Sequence, residues 1–350
     1  MIVIGVDPHK QTHTAAAVER ATGEFVGERT IQARSEGHSQ LLAWARDLTR
    51  ERVFALEDCR HVSGSLERFL LAHGERVVRV PPKLMGEARK GGRSLGKSDA
   101  IDALAVARAA LREPELPAGQ LAGREREIRL LLDHRDDLVQ ERTRNQQRLR
   151  WHVHDLDPGL QIPVGALDRK LWLERIGRRL ARLPQSAQVR ICQELLVRCL
   201  ELTRRTGELG RELEALVREQ AAPLLELPGC GVLTAAKLIG EVAGVQRFGG
   251  EAKLAKHAGA APLPASSGKT SRHRLNRKGN RQLNCALHRL AVNQSRWHPA
   301  ARAYLARKES EGKSRREALR CLKRHLVRVV YRLLVEIDAT RVAESTFNLT

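Results

Sequence analysis

The chain has 350 residues, 42% of them hydrophobic, with a net charge of +21 and an isoelectric point near 10.6, enough for two domains with cores of their own and for a polyanionic partner, nucleic acid before membrane surface. It has no apolar run long enough to span a bilayer and no signal-peptide pattern, so a membrane partner is not expected. Aromatics at 3% exclude base stacking as the main binding mode, and six scattered cysteines (Cys59, Cys192, Cys199, Cys230, Cys285, Cys321) exclude a disulfide framework or zinc knuckle, so a reducing cytoplasm is the expected compartment.

Residues 1 to about 112 read as α/β. The apolar runs 2–7, 12–18 and 25–31 predict three strands with short turns. A helix is predicted over 38–48, a strand over 53–57, a helix over 65–73, and a strand over 76–80 that Pro81-Pro82 stops. A last helix over 99–111 ends at Glu113-Pro114. Three consecutive strands followed by alternating helix and strand is the order of a ribonuclease-H-like sheet.

Pro114, Pro117 and Gly119 mark a linker. Two long, highly charged helical patterns follow, over 124–156 and roughly 187–219, and predict a coiled-coil hairpin whose stripe Arg135 and Arg142 interrupt. The run Leu227-Pro228-Gly229-Cys230-Gly231 before an apolar helix predicts a helix-hairpin-helix element, whose glycines let backbone N–H groups approach a phosphate. From 266 to 332 there are 19 Lys/Arg against three acids, most of the net charge of the chain. The domains expected are 1–115, α/β and metal-binding, then 116–222, a helical connector, then 223–350, mainly helical.

Four carboxylates carry the chemistry. Asp7 ends the first strand, Glu57 ends the fourth, and Asp99 and Asp102 open the helix over 99–111. Taken alone, Asp7 before Pro8 could begin a turn, and Asp99 after Ser98 could be a charge favoured by the helix dipole. The dipole explains Asp102 poorly, because it lies among apolar residues three positions on, on the face of Asp99. Glu57 is followed by Asp58, and strand alternation lets only one of the two point into a given site; Glu57 is the choice. Together the four match a two-metal phosphoryl-transfer site, since hard divalent cations take several oxygen ligands and two ions clamp the attacking and leaving oxygens. Arg93 and Lys97 either contact the scissile phosphate or balance the acids. His9, His13, His152 and His154 have no ligand-like partner spacing.

Ser266 and Ser267 lie in a Gly- and Pro-rich stretch that opens the basic region. From spacing alone this is a plain polar loop. A serine there becomes a nucleophile only if a base or metal takes its proton and cations stabilise the charge. Lys269, Arg272, Arg274, Arg277, Lys278 and Arg281 read as a phosphate-tracking surface that leads into a helix with Leu283, Leu287, Leu290 and Ala291 on one face.

The motifs Ile4-Gly5-Val6-Asp7, Leu56-Glu57, Lys97-Ser98-Asp99-Ala100-Ile101-Asp102-Ala103, Leu227-Pro228-Gly229-Cys230-Gly231, and Ala258-Gly259-Ala260-Ala261-Pro262 leading to Ser266-Ser267-Gly268 resemble, in this order, a family of DEDD insertion-sequence transposases whose recombinases are guided by a bridge RNA. Arg277-Lys278-Gly279-Asn280 before Leu283 fits as well, so the likeness covers essentially the whole chain. The resemblance implies a RuvC-like first domain, a coiled-coil connector and a C-terminal transposase domain. It implies that Asp7, Glu57, Asp99 and Asp102 bind magnesium, with manganese as an alternative, and that Ser267 joins DNA covalently, with Ser266 one register step away. It implies donor and target DNA and a non-coding bridge RNA as partners. Strand exchange needs several active sites at once, which implies a homo-oligomer, dimer or tetramer. After Glu57 the family pattern has a small Ala-Thr-Gly-type turn, where this chain has Asp58-Cys59-Arg60-His61. The rival readings are a Holliday-junction-resolvase-like nuclease using only the carboxylates and water, and a non-catalytic nucleic-acid-binding protein.

Overall fold

Alternation of side chains along the first strand sets the layers of the α/β region. The computed structural model describes every residue except 58–59, 82–83, 86–97, 114–115, 117, 120–122, 267–272, 277–278 and 348–350. Strands β1 (Ile2–Pro8), β2 (Thr12–Glu19), β3 (Phe25–Gln32), β4 (Arg52–Glu57) and β5 (Val77–Val80) form one sheet in the order β3-β2-β1-β4-β5. β1 and β3 run antiparallel to β2, while β1, β4 and β5 run parallel. This is the ribonuclease-H/RuvC-type order that the sequence predicts.

Ile2, Ile4 and Val6 face one side with Phe54 and Leu56. There α1 (Ser35–Leu48) and α2 (Arg60–Ala72) bury Leu41, Leu42, Leu66 and Leu70 against them. Val3, Val53, Ala55 and Val78 face the other side, under Ala105, Val106 and Ala109 of α3 (Asp99–Arg112). Gly5 lies on that second face, between Val3 and Asp7. A Cβ on Gly5 would lie 2.3 Å from both Ala103 O and Ala107 N. A strand glycine facing two alanines one turn apart is therefore what lets α3 lie directly on β1.

Two helices start earlier than the sequence predicts. α1 begins at Ser35 rather than 38, with Gly37 in its first turn, where a Cβ would meet Gln32 O at 2.0 Å. α2 begins at Arg60 rather than 65. Its first turns contain Ser63 and Gly64, poor helix formers, which hide this start from a reading by propensity.

The chain divides into two compact units, Met1–Gly123 with Val242–Thr350, and Arg124–Glu241. In the second unit α4 (Arg124–Leu156) and α6 (Ala187–Glu226) run antiparallel, as Glu141 with Arg198 (3.7 Å) and Asp155 with Gln188 (2.7 Å) demonstrate. Between them lies the short helix α5 (Lys170–Leu180). The charges that interrupt the apolar stripe are accommodated: Arg135 donates to Thr206 O (3.3 Å), and Arg142 pairs with Asp168 (3.2 Å). α6 runs past residue 219 to Glu226, broken at Ala221 two residues before Pro223, whose ring cannot follow a regular helix. A tight turn, with Cys230 N donating to Leu227 O (2.9 Å), leads into α7 (Val232–Val242). Lys237 of α7 pairs with Asp133 and Asp136 of α4, each at 3.2 Å.

The chain then forms α8 (Glu251–His257), the two-stranded ribbon β6 (Leu263–Pro264) and β7 (His273–Arg274), and helices α9 (Arg281–Trp297), α10 (Pro299–Ser310) and α11 (Arg315–Phe347). α9 buries Leu283, Leu287, Leu290 and Ala291, the face read from the sequence. Its Arg281, Arg289 and Arg296 are exposed and have no carboxylate partner among the described residues.

Candidate active site

The site begins where β1 and β4 end side by side. Val6 is in parallel register with Leu56, so Asp7 and Glu57 are the next residue of each strand. Strand alternation puts both on the face of Val3, Ala55 and Val53, which α3 covers. Asp7 is buried, at 5% exposure, and Glu57 is half-buried. α3 starts over this end of the sheet. Its N-cap Ser98 accepts from Ile101 N (3.3 Å), which fixes Asp99 and Asp102 in the first turn. Asp99 is exposed and Asp102 buried.

Asp7 lies within electrostatic reach of the two helix acids. Burial is the main reason that the Asp7 carboxyl is held above the ordinary carboxylate range, and the negative charges of Asp102 and Asp99 push it the same way. The imidazole of His9 opposes them. His9 Nε2 lies 3.2 Å from Asp7 Oδ2 and 3.3 Å from Asp99 Oδ1. Sequence spacing sets His9 aside for lack of a partner, and the structure corrects this. The available signal is parity, because residues 7 and 9 at a strand end point the same way. Neither His13, on the opposite face of the sheet, nor His152 and His154 on α4 joins a group of three ligand-type side chains among the described residues.

The donor set fits a divalent cation. Asp7, His9 and Asp99 each offer one ligand atom, all within 4.8 Å of one another. Asp7 Oδ2 is buried and accepts no hydrogen bond of normal geometry among the described residues. A buried anionic oxygen held among other carboxylates is costly unless a cation balances it.

Of the remaining predicted residues, Arg274 is exposed on β7, and Arg281 opens α9, also exposed. Ser266 follows β6 and is exposed. Ser267, Lys269, Arg272, Arg277 and Lys278 lie outside the described residues, as do Arg93, Lys97, Asp58 and Cys59.

Comparison with known proteins bears on the whole arrangement. A family model described as a transposase, of the DEDD type of IS110 elements, matches residues 4–158, and one described as the transposase of the IS116/IS110/IS902 family matches residues 221–306. The chain is 32% identical over 290 residues, 68% of its length and 70% of the relative's, to the 43.6 kDa protein of insertion element IS110 from Streptomyces coelicolor. It belongs to the IS110/IS116 family of insertion-element transposases. The 44.8 kDa protein of IS116 from Streptomyces clavuligerus is 27% identical over 379 residues, covering 95% of this chain and 94% of the relative. The 42 kDa protein of IS900 from Mycobacterium paratuberculosis is 26% identical over 378 residues, covering 94% of each.

The transposase is thus an enzyme that cleaves and rejoins DNA. The candidate acids Asp7, Glu57, Asp99 and Asp102 all lie inside the residues, 4–158, that the first model matches. The basic helix α9 falls inside the span of the second match. Among solved structures, 34% of the chain is similar to T. thermophilus RuvC in complex with a Holliday junction substrate, at 15% identity and a TM-score of 0.27, covering 99% of that chain. The fold type rests on the strand order itself. Among the described residues no helix is long and apolar enough to cross a membrane.

Proposed function

We propose that this transposase moves its own insertion element by a carboxylate metal site working with a serine nucleophile, under the guidance of a non-coding bridge RNA. The observation that carries the reading is the meeting of Asp7 and Asp99 at the end of β1, their carboxylates 3.2 and 3.3 Å from one His9 nitrogen, with buried Asp102 in the same first turn of α3 as Asp99. Strand parity brings Glu57 to the same face. Asp7, Glu57, Asp99 and Asp102 would hold magnesium, or manganese in its place. Divalent cations there supply charge neutralisation and Lewis-acid polarisation of a phosphodiester.

Ser267 is the nucleophile in this reading. Its Oγ gives up its proton and forms a bond to phosphorus, the bond from phosphorus to a deoxyribose oxygen breaks, and that oxygen takes up a proton. The phosphodiester energy is kept in the serine ester, so rejoining to a new strand needs no ATP. Lys269, Arg272, Arg274, Arg277, Lys278 and Arg281 hold the phosphates of donor and target DNA, and the exposed arginines of α9, without carboxylate partners among the described residues, support this. By function, this reading assigns metal binding to residues 1–115, a coiled-coil connector to 116–222 and the transposase domain with the serine to 223–350. The bridge RNA, a dimer or tetramer, and action on the nucleoid in the cytoplasm complete the reading, and rest on the family resemblance.

The test is to trap DNA on the protein under denaturing conditions and map the attached residue by mass spectrometry. The reading expects an adduct at Ser267 that Ser267→Ala abolishes and Ser266→Ala leaves. Strand cleavage persisting in Ser267→Ala, with no adduct in the wild type, would favour resolvase-type hydrolysis by the carboxylates and water.

A further inference from the structure

His9 has a place in the acid cluster that a carboxylate quartet does not need. It follows β1 directly, in the tight turn to β2, and its backbone N–H donates to Thr12 O at 2.9 Å. The turn and the antiparallel pairing of Pro8 with His13 fix its backbone. Its side chain is half exposed, yet the Nε2 atom faces inward, at near-equal distance from a carboxylate oxygen of the strand and one of the helix. No other histidine among the described residues joins two acids at such distances. One nitrogen shared by two carboxylates that approach each other from different elements has the composition of a mixed nitrogen and oxygen cation site.

We propose that His9 is a nitrogen ligand of the metal site and makes it select manganese and later first-row divalent ions over magnesium. The inference rests on the carboxylate reading given above. Magnesium favours oxygen donors and keeps much of its water, whereas imidazole suits borderline transition ions. An all-carboxylate site would discriminate weakly between magnesium and manganese. One imidazole in the set tilts the choice toward manganese, and more strongly toward cobalt. Solvent exposure of His9 on its outer side leaves its ring free to adjust to an ion without moving β1.

Pulsed electron paramagnetic resonance on the full-length protein loaded with Mn2+ tests this without any DNA. The expected result is a nitrogen hyperfine modulation on the bound manganese in the wild type that disappears in His9→Gln. Mn2+ affinity in His9→Gln should fall at least about tenfold, while Mg2+ affinity, measured by competition, changes much less. Circular dichroism of His9→Gln should match the wild type, because the residue lies in an exposed turn. Manganese bound by the wild type with no nitrogen modulation, or a modulation that persists in His9→Gln, overturns the role of His9 and leaves the carboxylates in place. Manganese binding that is absent, or indifferent to Asp7→Asn, overturns the carboxylate site itself.

Discussion

The acidic end of the sheet and the basic helices at the C-terminus handle charge in opposite ways. At the sheet end a few carboxylates sit close together, two of them buried, and Asp102 and Asp99 add to burial in disfavouring the charge of Asp7. On α9 the charges are exposed and spaced along one face, with the apolar residues underneath. Burying like charges together costs stability and makes every member count. Spreading like charges over a wet surface costs little, and makes each member worth little. The first arrangement suits chemistry at one point, the second suits holding a long polyanion.

The contrast breaks most sharply with a single acid. Asp7→Asn should lower strand cleavage by at least about 10³-fold, roughly 4 kcal/mol of transition-state stabilisation. DNA affinity should stay unchanged. Because the folded protein holds the Asp7 carboxyl above its ordinary range, its charged form weakens the fold, an effect absent at low pH and present once the pH exceeds the raised value. At neutral pH and without metal, thermal unfolding of Asp7→Asn should therefore occur at the same temperature as the wild type or higher.

A second break lies in the close packing under the site. Gly5→Val puts atoms where the backbone of Ala103 and Ala107 already sits, and should cost more than about 3 kcal/mol in denaturant unfolding. Cleavage falls with it, since α3 carries Asp99 and Asp102. A variant as stable as the wild type would remove Gly5 from the account.

The opposite face of the same sheet gives a pH signature. His13 is fully buried and stacks on His38, with ring centroids 5.6 Å apart, and neither ring nitrogen of His13 has a hydrogen-bond partner among the described residues. Burial first, and the neighbouring His38 second, lower the His13 pKa from 6.5 to about 4. The folded protein then binds fewer protons than the unfolded chain between these values, so stability is present above pH 6.5 and is lost as the pH falls toward 4. The loss is roughly 3 kcal/mol for His13, and His38, lowered by burial too, adds in the same direction. Denaturant midpoints across this range measure it, and His13→Leu should flatten the curve.

The smallest effect sharpens the basic side. Replacing Arg281, Arg289 and Arg296 by Gln together should reduce the slope of log K against log salt by about 0.7–0.9 for each phosphate these arginines neutralise. Cleavage at saturating DNA should remain. Filter-binding titrations at several salt concentrations separate the two.

Much of the sheet is legible in the sequence because its signals are local. Ile2, Ile4 and Val6 alternate, and Pro81-Pro82 follows the last strand. The start of α3 is legible from Ser98 and the acids after it. Gly37 and Gly5 are less so, since a glycine that permits close packing has the same letter as one that breaks a helix or strand. The end of α6 escapes a sequence reading because Pro223 looks like a stop, while the chain bends at Ala221 and continues. His9 escapes it because its partner Asp99 lies 90 positions away in the chain, and only the β1 turn and the start of α3 bring the two together.

The most direct measurement is Mg2+-dependent strand cleavage and DNA binding, side by side, for Asp102→Ala. Asp99 suits a helix N-terminus whatever its function, whereas Asp102 is a buried acid that the dipole alone does not account for. Cleavage should be lost and binding intact, with the far-ultraviolet circular dichroism of the wild type. Full cleavage by Asp102→Ala in magnesium would contradict it.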